Sequence, residues 1–369
     1  MRALVVGAGI TGLAAAVDLF VAGADVTLVD AAPRAGGKIV TEDADGFVVE
    51  HGPDSFVSYR PAAAALASRF GLGEDIISVT EPRIVFLRRD GEMVPLPEGM
   101  GLVLPTRLGP FLRTRNFTWP QKLRAGLDLV LPRYLGEEDM AIGRFLRHRL
   151  GPAVVERLAD PLIGGIYGAS IEELSLDAVL PMLRSYERES RSLILASLAS
   201  GRKAPGGGGS PFRTLRGGLG SLVDALMAHL RAQPGFSERL GMAAESLATK
   251  DAATSHLRLA SGEVITADAV VLATPAPATA ALVAGERPAA AAALRSIPHT
   301  STAVVSLGYR TAAFGEPIVG HGYLDAGTGR GPRSPSSGCT ITSRKWAGRA
   351  PDGTVLILSL IHISEPTRQ

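Results

Sequence analysis

The chain has 369 residues, and its 38 Lys and Arg against 36 Asp and Glu leave a formal charge of +2, so no global basic field argues for nucleic acid. A hydrophobic fraction of 46% with 20% charged residues excludes disorder and fits a globular chain of two or three domains at roughly 100–200 residues each. The single Cys339 excludes a disulfide framework or a multi-cysteine centre, and the seven histidines show no ligand spacing, so no metal is expected. One free cysteine fits a reducing compartment. Residues 3–29 are broken by Gly7, Gly9, Gly12, Asp18, Gly23 and Asp25, which argues against a signal peptide or a spanning helix and makes the cytoplasm the expected location.

Ala3–Val6 reads as a buried parallel strand, and Leu13–Ala22 has the composition of a helix. Between them lies Gly7-Ala8-Gly9-Ile10-Thr11-Gly12, and a second strand, Asp25–Val29, ends on Asp30. Each element has a physical task in binding a dinucleotide. Gly7 turns the chain, Gly9 admits a pyrophosphate, and Gly12 lets helix and strand pack closely. Asp30 stands where a carboxylate accepts ribose hydroxyl hydrogen bonds and repels a 2′-phosphate. A glycine pair follows in Pro33-Arg34-Ala35-Gly36-Gly37-Lys38, as if the chain turned back across the same cofactor with Arg34 and Lys38 available to phosphate. Phe47–Glu50 alternates like a strand and runs into His51-Gly52-Pro53-Asp54-Ser55.

Gly7–Gly12, the stretch from Asp30 and Ala31 to Lys38, and His51–Phe56 together resemble the porphyrinogen oxidase branch (coproporphyrinogen III and protoporphyrinogen oxidases) of the FAD-dependent, amine-oxidase-like flavoproteins. Gly-Pro-Asp-Ser-Phe is the most specific of these elements. The resemblance continues through Asp160–Gly168, Arg191–Ile194, Phe212–Leu219, Ala273-Thr274-Pro275 and Ser343-Arg344-Lys345-Trp346, covering residues 2–358. It implies an α/β fold with α+β insertions: a discontinuous Rossmann-type FAD-binding domain, an antiparallel-sheet substrate domain and a helical lobe. It also implies oxidation of a porphyrinogen, closest to coproporphyrinogen III, by FAD and O2. Protoporphyrinogen oxidase and other amine-oxidase-like activities are the alternatives. Residues implied at FAD are Gly7, Ala8, Gly9, Ile10, Thr11, Gly12, Asp30, Ala31, Arg34, Gly37, Lys38, Gly52, Pro53, Asp54 and Ser55, with the backbone of Ala244 at the adenine end. Asp30 replaces a commoner glutamate, which shortens the reach and keeps the acceptor.

The expected FAD-binding segments are 1–60 and 205–286, interrupted by a Gly-rich linker at 204–211. Residues 61–98 and 287–358 are expected to supply the substrate domain, and 99–204 the helical lobe. Gly220–Arg231 reads as a helix with Leu222, Val223, Leu226 and Leu230 on one face. Within 101–150 nine Lys and Arg face four acids, an excess able to attract substrate carboxylates or anionic lipid at a peripheral membrane contact. Arg60 is the candidate partner for a propionate, and Tyr167 for the pocket wall. No residue is singled out as catalytic, because the flavin itself takes the hydride. The last residues, 359–369, contain no Ala or Gly, unlike the chain before them. They read as a non-native tail on a chain lacking the family's closing flavin segment, and an inactive flavin-binding fragment is the corresponding alternative.

Overall fold

The apolar run at the N-terminus forms strand β1 (Arg2–Val6), followed by helix α1 (Ile10–Val21) and strand β2 (Asp25–Asp30). In this computed structural model residues 1–363 are described, apart from 90, 102, 204–209, 252–253 and 326–335. The chain divides into two units: Met1–Ser78, Pro211–His299 and Gly348–Pro351 in the first, and the remainder in the second.

The first unit is built on a parallel sheet in the order 236–240, β2, β1, 269–272. The period-two geometry of a strand divides β1 between two cores. Ala3 and Val5 pack with Leu13, Val17, Leu222 and Leu226 on one face, while Leu4 and Val6 pack with Val29, Leu257, Leu259 and Leu282 on the other. Burial on both faces explains why β1 is a continuous apolar run rather than an alternating one. Strands β3 (Thr41–Ala44) and β4 (Phe47–Glu50) form a hairpin. Helix Gly220–Arg231 spans the expected residues. A three-stranded antiparallel sheet (244–251, 254–259, 264–267) turns at Gly262, whose φ of +86° favours glycine.

The second unit joins a helical region to a six-stranded sheet in the order 301–310, 354–363, 336–341, 322–325, 86–89, 92–95. The sheet is mixed rather than purely antiparallel, since 322–325 runs parallel to 86–89. The expected sheet begins only at Ser301, because Pro288–Arg295 is a helix. Its alanines favour helix and its proline occupies the first turn, where no N–H is needed. Ser359–Ile363 is the second half of strand Thr354–Ile363 and pairs with 301–305. Residues 364–369 and the Gly-rich segment 204–209 lie outside the described residues.

The helical region centres on Phe145, Leu146, Leu158, Ile163 and Ile171. Val155–Gly164 is a π-helix containing Pro161. The wider turn accommodates a proline ring that would clash with the preceding turn of an α-helix. Three of the nine cations within 101–150 hold this region together. Lys122 Nζ donates to the carbonyls of Leu112 and Thr114 at 2.7 and 2.8 Å. Arg124 closes the end of helix Ile142–Leu150 by donating to the carbonyls of Arg147, His148 and Arg149. Arg149 is fully buried. Arg107, Arg113, Arg115, Arg133 and Arg144 remain exposed.

His148 and His321 both have lowered pKa values. Burial lowers the His148 pKa, reinforced by Arg149 and Arg124, and burial lowers that of His321, reinforced by Arg344 and Arg83. A depressed folded-state pKa means the unfolded chain binds protons first, so stability should decline as pH falls below about 6.5. Urea midpoints between pH 7.5 and 5.5 should fall with pH. In His148→Phe that fall should be shallower; a slope equal to the parent's would remove His148 from the effect.

Candidate functional site

The glycine loop between β1 and α1 is a scaffold with one open face. Gly7 has φ +108°, and a Cβ there would lie 2.6 Å from the Ala273 carbonyl oxygen. A Cβ on Gly12 would run into the carbonyl oxygen of Gly7. Both positions are therefore closed to side chains for packing reasons. Gly9 differs: a Cβ there would meet no heavy atom within 4 Å. The close approach that glycine permits at position 9 is thus toward something outside the fold.

That open face meets the N-terminus of α1. No side chain caps the helix and its first turn holds no acid. Its leading N–H groups and dipole are therefore available to an anion. Asp30 closes the loop from the end of β2: Oδ2 accepts from Ala8 N at 2.6 Å and Oδ1 from Ala32 N at 2.8 Å. Each carboxylate oxygen has a second lone pair for a hydroxyl. The shorter acid thus also serves to fasten the loop, a role its spacing did not reveal.

The second glycine pair packs onto this loop. Gly36 N donates to the Ala8 carbonyl at 2.8 Å, and a Cβ on Gly37 would lie 3.1 Å from Gly9 Cα. A Cβ on Gly52 would run into the Lys38 carbonyl oxygen. Three glycine segments, distant in sequence, thus form one continuous cradle, with Thr11, Ala31, Gly37 and Lys38 exposed and Gly7, Ala8, Gly12 and Gly36 buried.

Arg34 spends its guanidinium on the turn itself, donating to the carbonyls of Ala35 and Gly37 at 3.2 and 3.1 Å. Ser55 Oγ donates to Asp54 Oδ1 at 2.6 Å, within the segment that also carries Pro53. Ala244 begins a strand just after Met242, whose N–H donates to the Asp30 carbonyl at 3.0 Å. Arg60 is exposed just before helix Ala62–Arg69 in the first unit. Tyr167, in the second unit, is 48% exposed at the end of the short helical turn Gly165–Tyr167 that follows the π-helix.

Sequence reasoning missed Glu50 and Arg349, both buried in the first unit. Glu50 accepts from Thr41 Oγ1 at 2.6 Å and from Leu219 N at 2.8 Å, fastening β4 to β3 and to the start of helix Gly220–Arg231. Burial pushes its pKa up, against the pull of those two donors and Arg349. The available signal was a glutamate closing the apolar run Phe47-Val48-Val49, which is costly unless paired. Ser343–Trp346, by contrast, has a packing role: Trp346 is fully buried, and Ser343 Oγ accepts from Leu356 N at 3.1 Å. Among the described residues no group of three or more His, Cys, Asp or Glu could hold a metal.

An open glycine face, an uncapped helix N-terminus and an acid closing the loop define a nucleotide-type cofactor cradle. Residues 10–368 match the profile of the flavin containing amine oxidoreductases. The chain belongs to that family, and its cofactor is a flavin.

Relatives that it matches over most of its length include porphyrinogen oxidases by name. It is 48% identical to the coproporphyrinogen III oxidase of Propionibacterium freudenreichii subsp. freudenreichii, over 96% of this chain and 71% of that protein. It is 32% identical to the coproporphyrinogen III oxidase of Bacillus subtilis (strain 168), over 97% of this chain and 76% of that one. A crystal structure from Exiguobacterium sp. 255-15, assigned as a protoporphyrinogen oxidase, superposes with a TM-score of 0.82 at 29% identity, covering 98% of this chain and 77% of that chain.

Proposed function

We propose that this chain is an FAD-dependent oxidase of coproporphyrinogen III, forming coproporphyrin III with O2 as the electron acceptor. The observation that carries this reading is the intact glycine cradle in a chain 48% identical to a coproporphyrinogen III oxidase over 96% of its length. FAD suits the cradle because the uncapped helix N-terminus takes a pyrophosphate and Asp30 takes a ribose, neither of which FMN offers together. When bound, FAD would supply the hydride acceptor, and with O2 as oxidant, reduced to hydrogen peroxide in each of three two-electron rounds, the six electrons separating porphyrinogen from porphyrin would be accounted for.

The protein's own contribution is to bind and orient. Backbone N–H groups of Ile10–Gly12 hold the pyrophosphate, and Asp30 and Ala31 hold the ribose. Gly37, Lys38 and the Gly52–Ser55 turn wall the cofactor, with Ala244 at its adenine end. Arg60, in the same unit as the cradle, is the cation offered to a propionate.

The purified flavoprotein is expected to turn over four-carboxylate coproporphyrinogen III at least tenfold faster than two-carboxylate protoporphyrinogen IX. The reverse preference would make it a protoporphyrinogen oxidase.

No helix among the described residues is long and apolar enough to cross a membrane. Surface contact has a physical basis nonetheless: Trp119 and Leu123, one turn apart, are 64% and 70% exposed, and Leu127 and Val130 extend the stripe. Exposed Arg113 and Arg115 lie close in sequence, a pairing suited to anionic headgroups. Trp119→Ser/Leu123→Ser should abolish cosedimentation with phosphatidylglycerol vesicles; equal binding by the parent and this variant would count against the stripe. The lone Cys339, its thiol pKa raised by burial, agrees with action in the reducing cytoplasm.

A further inference from the structure

Four residues from far along the chain, Gly348–Pro351, are built into the first unit. The Arg349 carbonyl accepts from Val48 N at 3.1 Å, and its side chain is 0% exposed. Nη2 donates to Thr214 Oγ1 at 3.0 Å and to the Leu215 carbonyl at 3.1 Å. The same nitrogen lies 3.7 Å from Glu50 Oε1. Asp54 supplies a second negative charge, and burial outweighs both acids in lowering the Arg349 pKa. Nε and Nη1 have no hydrogen-bond partner among the described residues.

A buried guanidinium with unspent donors is a poor device for stability alone, since a well-packed apolar side chain would serve as well or better. Glu50 also accepts from Thr41 and Leu219, so Arg349 supplies it with charge compensation rather than its hydrogen bonds. What Arg349 does have is an ion pair with Glu50, two residues before the Gly52-Pro53 turn, and a backbone hydrogen bond to Val48 on the same strand. That turn is a wall of the cradle: Gly52 lies on the Lys38 carbonyl, and Gly37, immediately before Lys38, lies on Gly9. The charge therefore sits behind a wall of the cofactor site and cannot touch the cofactor itself, because the unspent nitrogens are sealed within the protein.

We propose that Arg349 is a positioning residue for the flavin, fixing the Gly52–Ser55 wall through its hold on Glu50 and Val48, the strand that leads into it. The flavin affinity of the first unit therefore depends on a residue contributed from nearly 300 positions later in the chain. This rests on the FAD cradle described above.

The test is FAD titration of the deflavinated full chain, read by flavin fluorescence, with thermal melting of each variant. Arg349→Met is expected to raise the FAD dissociation constant at least tenfold, and Arg349→Lys, which keeps the charge, by no more than about threefold. Glu50→Gln/Arg349→Met removes both buried charges and should recover most of the melting temperature while leaving FAD weakly bound. An Arg349→Met dissociation constant within twofold of the parent, or affinity and melting temperature recovering together in the double variant, would overturn the assignment. Should Arg349→Met not fold, Glu50→Gln replaces it: at least fivefold weaker FAD binding is expected, and unchanged affinity overturns the assignment. A parent chain that binds no FAD would overturn the cradle reading and Arg349 with it.

Discussion

Gly9→Ala is expected to fold as the parent does and to lose its flavin. The position has φ −69° and ψ 174°, ordinary extended backbone for any residue, and a Cβ there meets nothing within 4 Å. Stability should therefore change by no more than about 0.5 kcal/mol. The empty space is where a pyrophosphate must reach the N–H groups of α1. A methyl group holding it off should weaken binding about 100-fold, or about 2.7 kcal/mol. Gly12→Val is the matched control, because its side chain would strike the Gly7 carbonyl and should cost both the fold and the flavin. Melting curves and FAD titration on both variants separate the two kinds of glycine. A Gly9→Ala protein that keeps full flavin affinity would show that the open face is not the cofactor's.

Arg149→Met should destabilise the helical region by about 3–5 kcal/mol, the range for stripping one partner from a buried ion pair. Arg149 Nε donates to Asp128 Oδ1 at 2.7 Å, Nη1 donates to the Pro132 carbonyl at 2.8 Å, and Glu187 Oε1 lies 3.4 Å from Nη1. Its acidic partners hold the surrounding loops. Asp128 Oδ2 accepts from Ser192 Oγ and Ile194 N at 2.6 and 2.9 Å, and Glu187 accepts from Tyr134 N and Leu135 N at 3.0 and 2.9 Å. Without the cation two buried carboxylates would stand uncompensated, so the loss should show directly in urea denaturation. A change below about 1 kcal/mol would place the network among weak surface pairs.

The β1–α1–β2 core was legible in the sequence because its constraints are local. An apolar run, a glycine spacing and a terminal acid state their geometry within 30 positions. The contact of Gly37 with Gly9 and of Gly52 with Lys38 was expected only as glycines near a cofactor, since pairing across loops leaves no periodic trace. Arg349 was invisible for the same reason: a basic residue in Trp-Ala-Gly-Arg-Ala-Pro reads as exposed, and only tertiary packing buries it beside Glu50. The cation excess of 101–150 was misleading in part, because charge counts do not distinguish a helix-closing Arg124 or a buried Arg149 from an exposed Arg113. The π-helix escaped notice because its apolar residues, Val155, Ala159 and Ile163, recur every fourth position, as α-helical ones also can.

The most direct measurement is anaerobic mixing of the purified flavoprotein with coproporphyrinogen III while following flavin absorbance near 450 nm. The expected result is bleaching of the flavin with appearance of porphyrin fluorescence, and recovery of the absorbance when O2 is admitted. A stoichiometric flavoprotein whose absorbance is unchanged by excess coproporphyrinogen III would contradict the proposed function.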